Sequence, residues 1–352
     1  MSGKVGKITL TVIALIGITA IVFVYMGNKK RRDFSCIQGE TAIYEHYKSA
    51  VVLIRHKYTY KITIKHGTPF ILENVDDGLL NTEISGTGFF VSHDGRIVTN
   101  RHVAEPWTSD KYDPRQNVKA RIAEILPDSI QGDSIKPYLE RMWNIYDDDI
   151  VEGNVQTDTT KSITTDTSQN KMAATSPDST SMPVTAGMVK EQDIEVEPVS
   201  VDISIALHGS NEQWLPCKKV GCSKDEGVDI GVLQTVSEKL PESVEHIVDL
   251  QDAIVDDGSL KPGNKAILIG YPLGTDLANT ARGILVQAYE GQLNKETDGI
   301  RLQYNVTSTH GASGSPVFND CGQLIAVNYA GVDATQGYNF GIVAKFAKEL
   351  VW

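Results

Sequence analysis

Three textures of hydrophobic and polar positions follow one another along the chain. The first is an uncharged apolar run from Ile8 to Met26. At about 1.5 Å of rise per residue, a helix of that length crosses the hydrocarbon core of a bilayer. The run ends Val24-Tyr25-Met26-Gly27-Asn28 rather than at a small-x-small cleavage site. It therefore predicts one retained transmembrane helix, about 8–26, inside an anchor over residues 1–32. Residues 33–42 read as a polar connector. From Ala50 the second texture begins: Val51 to Ile54 and Tyr58 to Ile64 are β-branched and aromatic runs. A loop around Gly67, Pro69 and Gly78 precedes a strand over 86–92, a turn at Asp94-Gly95 and a strand over 96–99. A helical turn begins near His102.

The third texture spans residues 107–200. Val118, Ile122 and Ile125, then Leu139, Met142 and Trp143, recur at helical spacing. Residues 153–192 are rich in Thr, Ser, Asp and Gln, with few large apolar side chains to offset the entropy of ordering. Residues 107–200 are read as a flexible surface insertion. β texture returns at Val201, with strand candidates at 203–208, 213–220, 229–234, 265–270, 283–290, 300–306, 316–318, 323–329 and 338–343. A short helix starts at Lys345. Short strands parted by Gly, Asp and Pro turns predict an all-β, antiparallel sandwich or barrel.

Charge and composition narrow the function. Lys+Arg 33 against Asp+Glu 45 gives a net charge of -12, and no nucleic-acid partner is expected. The consecutive Asp147, Asp148 and Asp149 lack the spaced partners of a cation site, so no metal is expected. The four cysteines, Cys36, Cys217, Cys222 and Cys321, are too few for a disulfide scaffold. Cys217 and Cys222 are spaced to pair across a short turn, which spacing alone does not show; the plainer reading is two unpaired thiols. Lys4 and Lys7 precede the apolar run while Lys29, Lys30, Arg31 and Arg32 follow it, a bias that favours a cytoplasmic C-terminal part.

The candidate chemistry centres on His310-Gly311-Ala312-Ser313-Gly314-Ser315-Pro316. Ser313 lies on a glycine-flanked turn entering a strand, where its hydroxyl is exposed and nearby N–H groups are free to face a substrate oxygen. A serine hydroxyl needs a base, and histidine titrates in the right range. His102 follows a predicted hairpin; His310, three residues from Ser313, is its rival. The base needs a carboxylate to orient it. Asp229 precedes the apolar strand Ile230 to Leu233, with Asp202, Asp225 and Glu226 as alternatives in more polar surroundings.

Gly86-Thr87-Gly88-Phe89-Phe90 and Thr99-Asn100-Arg101-His102-Val103 resemble the histidine region of trypsin-like serine proteases of the HtrA (Deg) type. Val228 to Leu233 is similar to that family's aspartate strand, Gly311 to Pro316 to its serine motif, Ile269 to Gly274 to its Gly-Tyr/Phe-Pro strand, and Asn339 to Val343 to its last strand. The order His, Asp, Ser is the family's order. Ala312 and Ser315 depart from the HtrA serine motif.

The resemblance implies one domain over 43–352 with two antiparallel six-stranded β-barrel lobes, chymotrypsin-like: lobe one about 43–240, lobe two about 250–352. It implies His102 as general base, Asp229 as its orienter, Ser313 as nucleophile, and Gly311 and Ser313 N–H groups as oxyanion hole. Thr307 would lie at the base of the substrate pocket, with His310 on the cleft rim and Asn328 where glutamate-specific relatives carry histidine. Neither Thr307 nor Asn328 favours a charged substrate residue, so a small or aliphatic one is expected. The reaction needs no cofactor. The partners implied are protein or peptide substrates and, through residues 8–26, the lipid bilayer; nothing supports an oligomer. No PDZ module follows the domain. The family acts outside the cytoplasm, which outweighs the charge bias and places the protease domain on the extracytoplasmic side. The rival reading is a catalytically silent domain that binds peptides at the membrane; an esterase is weaker, because strands and no helix follow the serine.

Overall fold

Alternation of large apolar and polar side chains makes Val51–Ile64 a single fourteen-residue strand, β1, in which Tyr58, Tyr60, Ile62 and Ile64 share one buried face. It is the spine of the first lobe. The computed structural model describes residues 35–351 except 74, 76–77, 81, 109–112, 154–186, 212 and 332–336. The expected membrane helix over 8–26 lies outside the described residues. Among those described, no helix is long and apolar enough to cross a membrane.

After β1 come β2 (Phe70–Ile71), β3 (Thr82–Phe90), β4 (Arg96–Thr99), β5 (Ile194–Leu207), β6 (Trp214–Cys222) and β7 (Gly231–Thr235). The sheet runs β2-β1-β3-β4-β7-β6-β5, and β5 pairs back onto β1. Six antiparallel strands thus close into a barrel around Val52, Ile54, Phe90, Ile97, Ile205 and Leu233. Closure removes the unpaired edges that an open sheet would expose.

The second lobe is built from β8 (Lys265–Gly270), β11 (Gln287–Gln292), β12 (Arg301–Tyr304), β13 (Pro316–Phe318), β14 (Leu324–Gly331) and β15 (Asn339–Val343). A two-stranded hairpin, β9 (Asn279–Thr280) with β10 (Gly283–Ile284), stands apart from it. The six strands run β11-β8-β13-β14-β15-β12. The two edges meet at one isolated bridge, Leu293 with Tyr304. This corrects the expectation of two closed barrels: the first lobe is a barrel and the second a half-barrel. The edge strand β12, four residues long, offers too short a ladder to β11 for full closure.

Helices also modify the all-β expectation. Glu40–Tyr47 begins inside the expected connector. Its Tyr47 stacks on Phe318 at 4.6 Å and donates a hydrogen bond to the Gly322 carbonyl at 3.1 Å. The C-terminal helix Ala344–Val351 returns to the first lobe, where Arg96 Nη1 donates to the Val351 carbonyl at 2.9 Å.

The described part of the insertion is folded onto the barrel, unlike the flexible excursion expected. Helix Pro114–Ile125 starts at Asp113, whose carboxylate accepts the Arg115 N–H at 3.0 Å, with proline in the first turn. Helix Ile135–Gly153 follows. Val118, Ile122, Ile125, Leu139 and Trp143 bury themselves with Tyr60, Ile62, Ile194 and Val196 beneath the outer half of the β1–β5 ribbon. Two long strands that project past the barrel would otherwise expose that face, so the helices complete a second core. At the base of the insertion Pro127 bridges Met188, the Val189 N–H donates to the Leu126 carbonyl at 3.1 Å, and the Asp128 N–H donates to the Gly187 carbonyl at 2.6 Å.

Trp143 is fully buried, with the Arg121 guanidinium 4.4 Å from its ring centre. Trp143→Ala is expected to cost about 3–5 kcal/mol, read from urea unfolding. A cost below about 1 kcal/mol would put these helices outside the cooperative core.

Candidate active site

His102 sits on a single helical turn, Arg101–Ala104, too short to be stable alone, so its position is set by what grips it. Asp229, in the loop before β7, supplies the main grip. Its Oδ1 accepts the His102 backbone N–H at 3.0 Å and its Oδ2 meets the His102 Nδ1 at 2.6 Å. Its carbonyl accepts the Asn100 side-chain amide at 2.8 Å. A carboxylate only accepts, so Nδ1 carries the proton and Nε2 is left with a lone pair. The His102 side chain is 33% exposed and that of Asp229 20%, so the ring remains reachable.

A second histidine holds the same turn. His56 on β1 is completely buried. Its Nδ1–H donates to the Val103 carbonyl at 2.9 Å, and its Nε2 accepts from Ser200 Oγ at 2.9 Å. The tautomer follows because a carbonyl cannot donate.

The serine loop is built by two successive turns. Ala312 N–H donates to the Thr309 carbonyl at 3.0 Å and Ser315 N–H to the Ala312 carbonyl at 3.1 Å. Gly314 has φ of +88°, and a Cβ there would lie 2.0 Å from the Thr87 carbonyl oxygen, so only glycine fits. Thr87 on β3 fastens the loop to the barrel: its N–H donates to the Ser313 carbonyl at 2.7 Å and its Oγ1 to the Gly311 carbonyl at 2.8 Å. One residue away, a Cβ on Gly86 would lie 2.7 Å from Val103 and 3.4 Å from the Ser313 carbonyl. The turn carrying His102 and the loop carrying Ser313 therefore converge on the bare backbone of Gly86. Among the described residues no hydrogen bond joins Ser313 Oγ to His102, and the N–H groups of Gly311 and Ser313 have no acceptor.

The other expected residues separate. Asp225 and Glu226 are exposed, and Asp202 faces Arg55 and Ser204. His310 and Thr307 are exposed on the segment leading to Ser313. Asn328, expected in the substrate pocket, is 1% exposed and turned to protein partners instead: Tyr304 Oη donates to its Oδ1 at 2.8 Å, and its Nδ2 donates to Ser308 Oγ at 3.0 Å and the Ala312 carbonyl at 2.9 Å. Cys217 and Cys222 are free thiols, each pushed up to about 12 by burial. Sequence reasoning assigned no role to Thr87, His56 or Asn100, although Thr87 and Asn100 lie inside the two motifs of the histidine region and His56 is one of the chain's eight histidines.

Residues 184–327 match the family model described as a trypsin-like peptidase domain, a stretch that includes Asp229 and Ser313 and begins after His102. The serine protease Do-like HtrA of Bacillus subtilis (strain 168) is 26% identical over 155 residues, covering 42% of this chain and 32% of that protein. The serine protease Do-like HtrA of Lactococcus lactis subsp. lactis (strain IL1403) is 30% identical over 118 residues, 32% of this chain and 27% of that protein. A probable periplasmic serine endoprotease DegP-like of Marinomonas sp. (strain MWYL1) is 30% identical over 130 residues, 36% of this chain and 25% of that protein. The matches thus span about a third or less of these relatives' length. Among solved structures, the serine endoprotease from Yersinia pestis superposes with a TM-score of 0.44 at 14% identity, covering 89% of this chain and 65% of that one. The resemblance to HtrA-type, trypsin-like peptidases read from the motifs is borne out.

Burial holds the His56 imidazole below its ordinary value, against a smaller opposing pull from the Val103 carbonyl. The unfolded chain then takes up a proton before the folded one, so stability is full above about pH 6.5 and falls as pH drops toward the folded value. His46 and His208 are shifted in the same direction and add to the trend. His56→Asn retains a donor for Val103 and removes the titration. Its thermal midpoint is expected to fall less than that of the parent between pH 7.5 and 5, about the range over which histidine titrates. Equal falls would remove His56 from the acid sensitivity.

Proposed function

We propose that this chain is a membrane-anchored serine endopeptidase with His102, Asp229 and Ser313 as its triad. The observation that carries the proposal is the His102–Asp229 pair at 2.6 Å, which puts the proton on Nδ1 and leaves the Nε2 lone pair available, while the His102 turn and the Ser313 loop converge on Gly86. His102 takes the Ser313 proton as Oγ attacks the scissile carbonyl. The Gly311 and Ser313 N–H groups receive the developing oxyanion. His102 then protonates the leaving amine, giving an acyl-enzyme, and activates the water that hydrolyses it. Asp229 keeps the ring in the correct tautomer and stabilises the imidazolium.

Peptide bonds are the proposed substrate because the relatives are named as serine proteases. Residues 8–26 are the proposed anchor. An extracytoplasmic site for the protease domain draws support from the periplasmic designation of the Marinomonas relative. The exposed, uncharged Thr307 fits a small or aliphatic residue before the scissile bond.

A fluorophosphonate probe and a fluorescently quenched unfolded protein test this reading. The full chain should be labelled and should cleave the substrate, and Ser313→Ala should lose both. Asp229→Asn should keep its fold and lose about ten-thousand-fold in kcat through the wrong histidine tautomer. No labelling and no cleavage by the parent chain would favour a silent peptide-binding domain.

A further inference from the structure

We propose that Asn328 is a positioning residue that aims the Ser313 N–H into the oxyanion hole, an inference that rests on the serine-peptidase reading above. In a planar trans peptide the N–H points opposite the C=O. The Ser313 N–H shares its peptide plane with the Ala312 carbonyl, so whatever holds that carbonyl directs that N–H. Two donors hold it: the Ser315 N–H at 3.1 Å, which closes the turn, and Asn328 Nδ2 at 2.9 Å, which reaches across from β14. The turn hydrogen bond travels with the loop. Among the described residues, the Asn328 bond alone ties the peptide to something outside the loop.

Asn328 is itself fixed on every side. Its Oδ1 accepts from Tyr304 Oη at 2.8 Å, and Nδ2 also donates to Ser308 Oγ at 3.0 Å. Its backbone N–H donates to the Ser315 carbonyl at 2.9 Å, and its carbonyl accepts the Gly314 N–H at 2.7 Å. At 1% exposure no water competes for these groups, so the side chain has one arrangement that satisfies them all. The Ala312 carbonyl can only accept, so Nδ2 must face it, and Oδ1 is thereby turned to the fully buried Tyr304 hydroxyl, which donates to it. The neighbouring donor peptide follows the same rule: the His310 carbonyl accepts the Leu273 N–H at 2.6 Å, which directs the Gly311 N–H away from residues 271–274. One oxyanion donor is aimed by a backbone group and the other by a side chain, and only the second can be removed by substitution.

The test measures kcat, KM and peptide-boronate affinity for the full chain, Asn328→Leu and Asn328→Asp. The leucine variant removes the donor and is expected to lower kcat by about 100- to 1000-fold, the effect of losing one oxyanion donor, with KM within about threefold. The aspartate variant, kept neutral by burial, can still offer an O–H to the Ala312 carbonyl and is expected to lose less. Boronate affinity should fall in step with kcat, because the boronate occupies the tetrahedral position. A generally loosened fold would instead raise KM and lower the folded fraction, read by circular dichroism. If the leucine variant folds and turns over within about threefold of the parent, or keeps parental boronate affinity, the inference fails. A parent chain that neither cleaves nor labels overturns the peptidase reading, and this inference with it.

Discussion

Thr87 uses every polar atom it has, and does so with no exposure to solvent. Its N–H goes to Ser313, its carbonyl accepts from Thr99 Oγ1, and its hydroxyl donates to Gly311 while accepting the Tyr271 N–H. Strand β3 of the barrel is thereby tied to the serine loop and to the end of β8 in the half-barrel. Hydrogen bonds of this kind contribute modestly when made, but a buried group left unpaired costs about 1–3 kcal/mol. The junction is therefore either complete or expensive, which gives it one geometry. The His102 turn, pressed against Gly86 one residue away, inherits that geometry.

The rest of the site shows the same economy of rigid parts. A one-turn helix, a serine loop of two turns and a coil segment before β7 have little regular structure of their own. The first two are fixed by side chains planted on strands, the helix by His56 on β1 and the loop by Thr87 on β3 and Asn328 on β14, while the Asn100 side chain holds the coil segment. Position comes from the sheets and chemistry from the irregular segments between them.

Much of this was legible in the chain. Strands 265–270 and 316–318 fell where the apolar runs and the turn residues put them, and His102 and Asp229 meet as their motifs implied. Closure was not legible, because a strand's pattern reports which faces are buried and is silent on whether two distant edges are long enough to pair. The insertion's helices showed their spacing, yet their partner face on Tyr60 and Ile62 is created only when β5 returns to β1 across more than a hundred residues. Asn328 was assigned to the substrate by its position along the chain. Its carboxamide is claimed by Tyr304 and Ala312, a long-range match that no local pattern encodes.

The base of the insertion has a topological consequence. Pro127 and Met188 lie side by side, so the stretch between them, whose helix Ile135–Gly153 packs Leu139 and Trp143 onto the barrel, is closed at its base. Chain length added between residues 154 and 186 would change the entropy of an already closed loop by only about 0.6 kcal/mol per doubling. The barrel's register would not sense it. Closure at this bridge uncouples the length of segment 154–186 from the two sheets, making it a natural port at which sequence can be gained, lost or exchanged while the barrel and half-barrel stay the same.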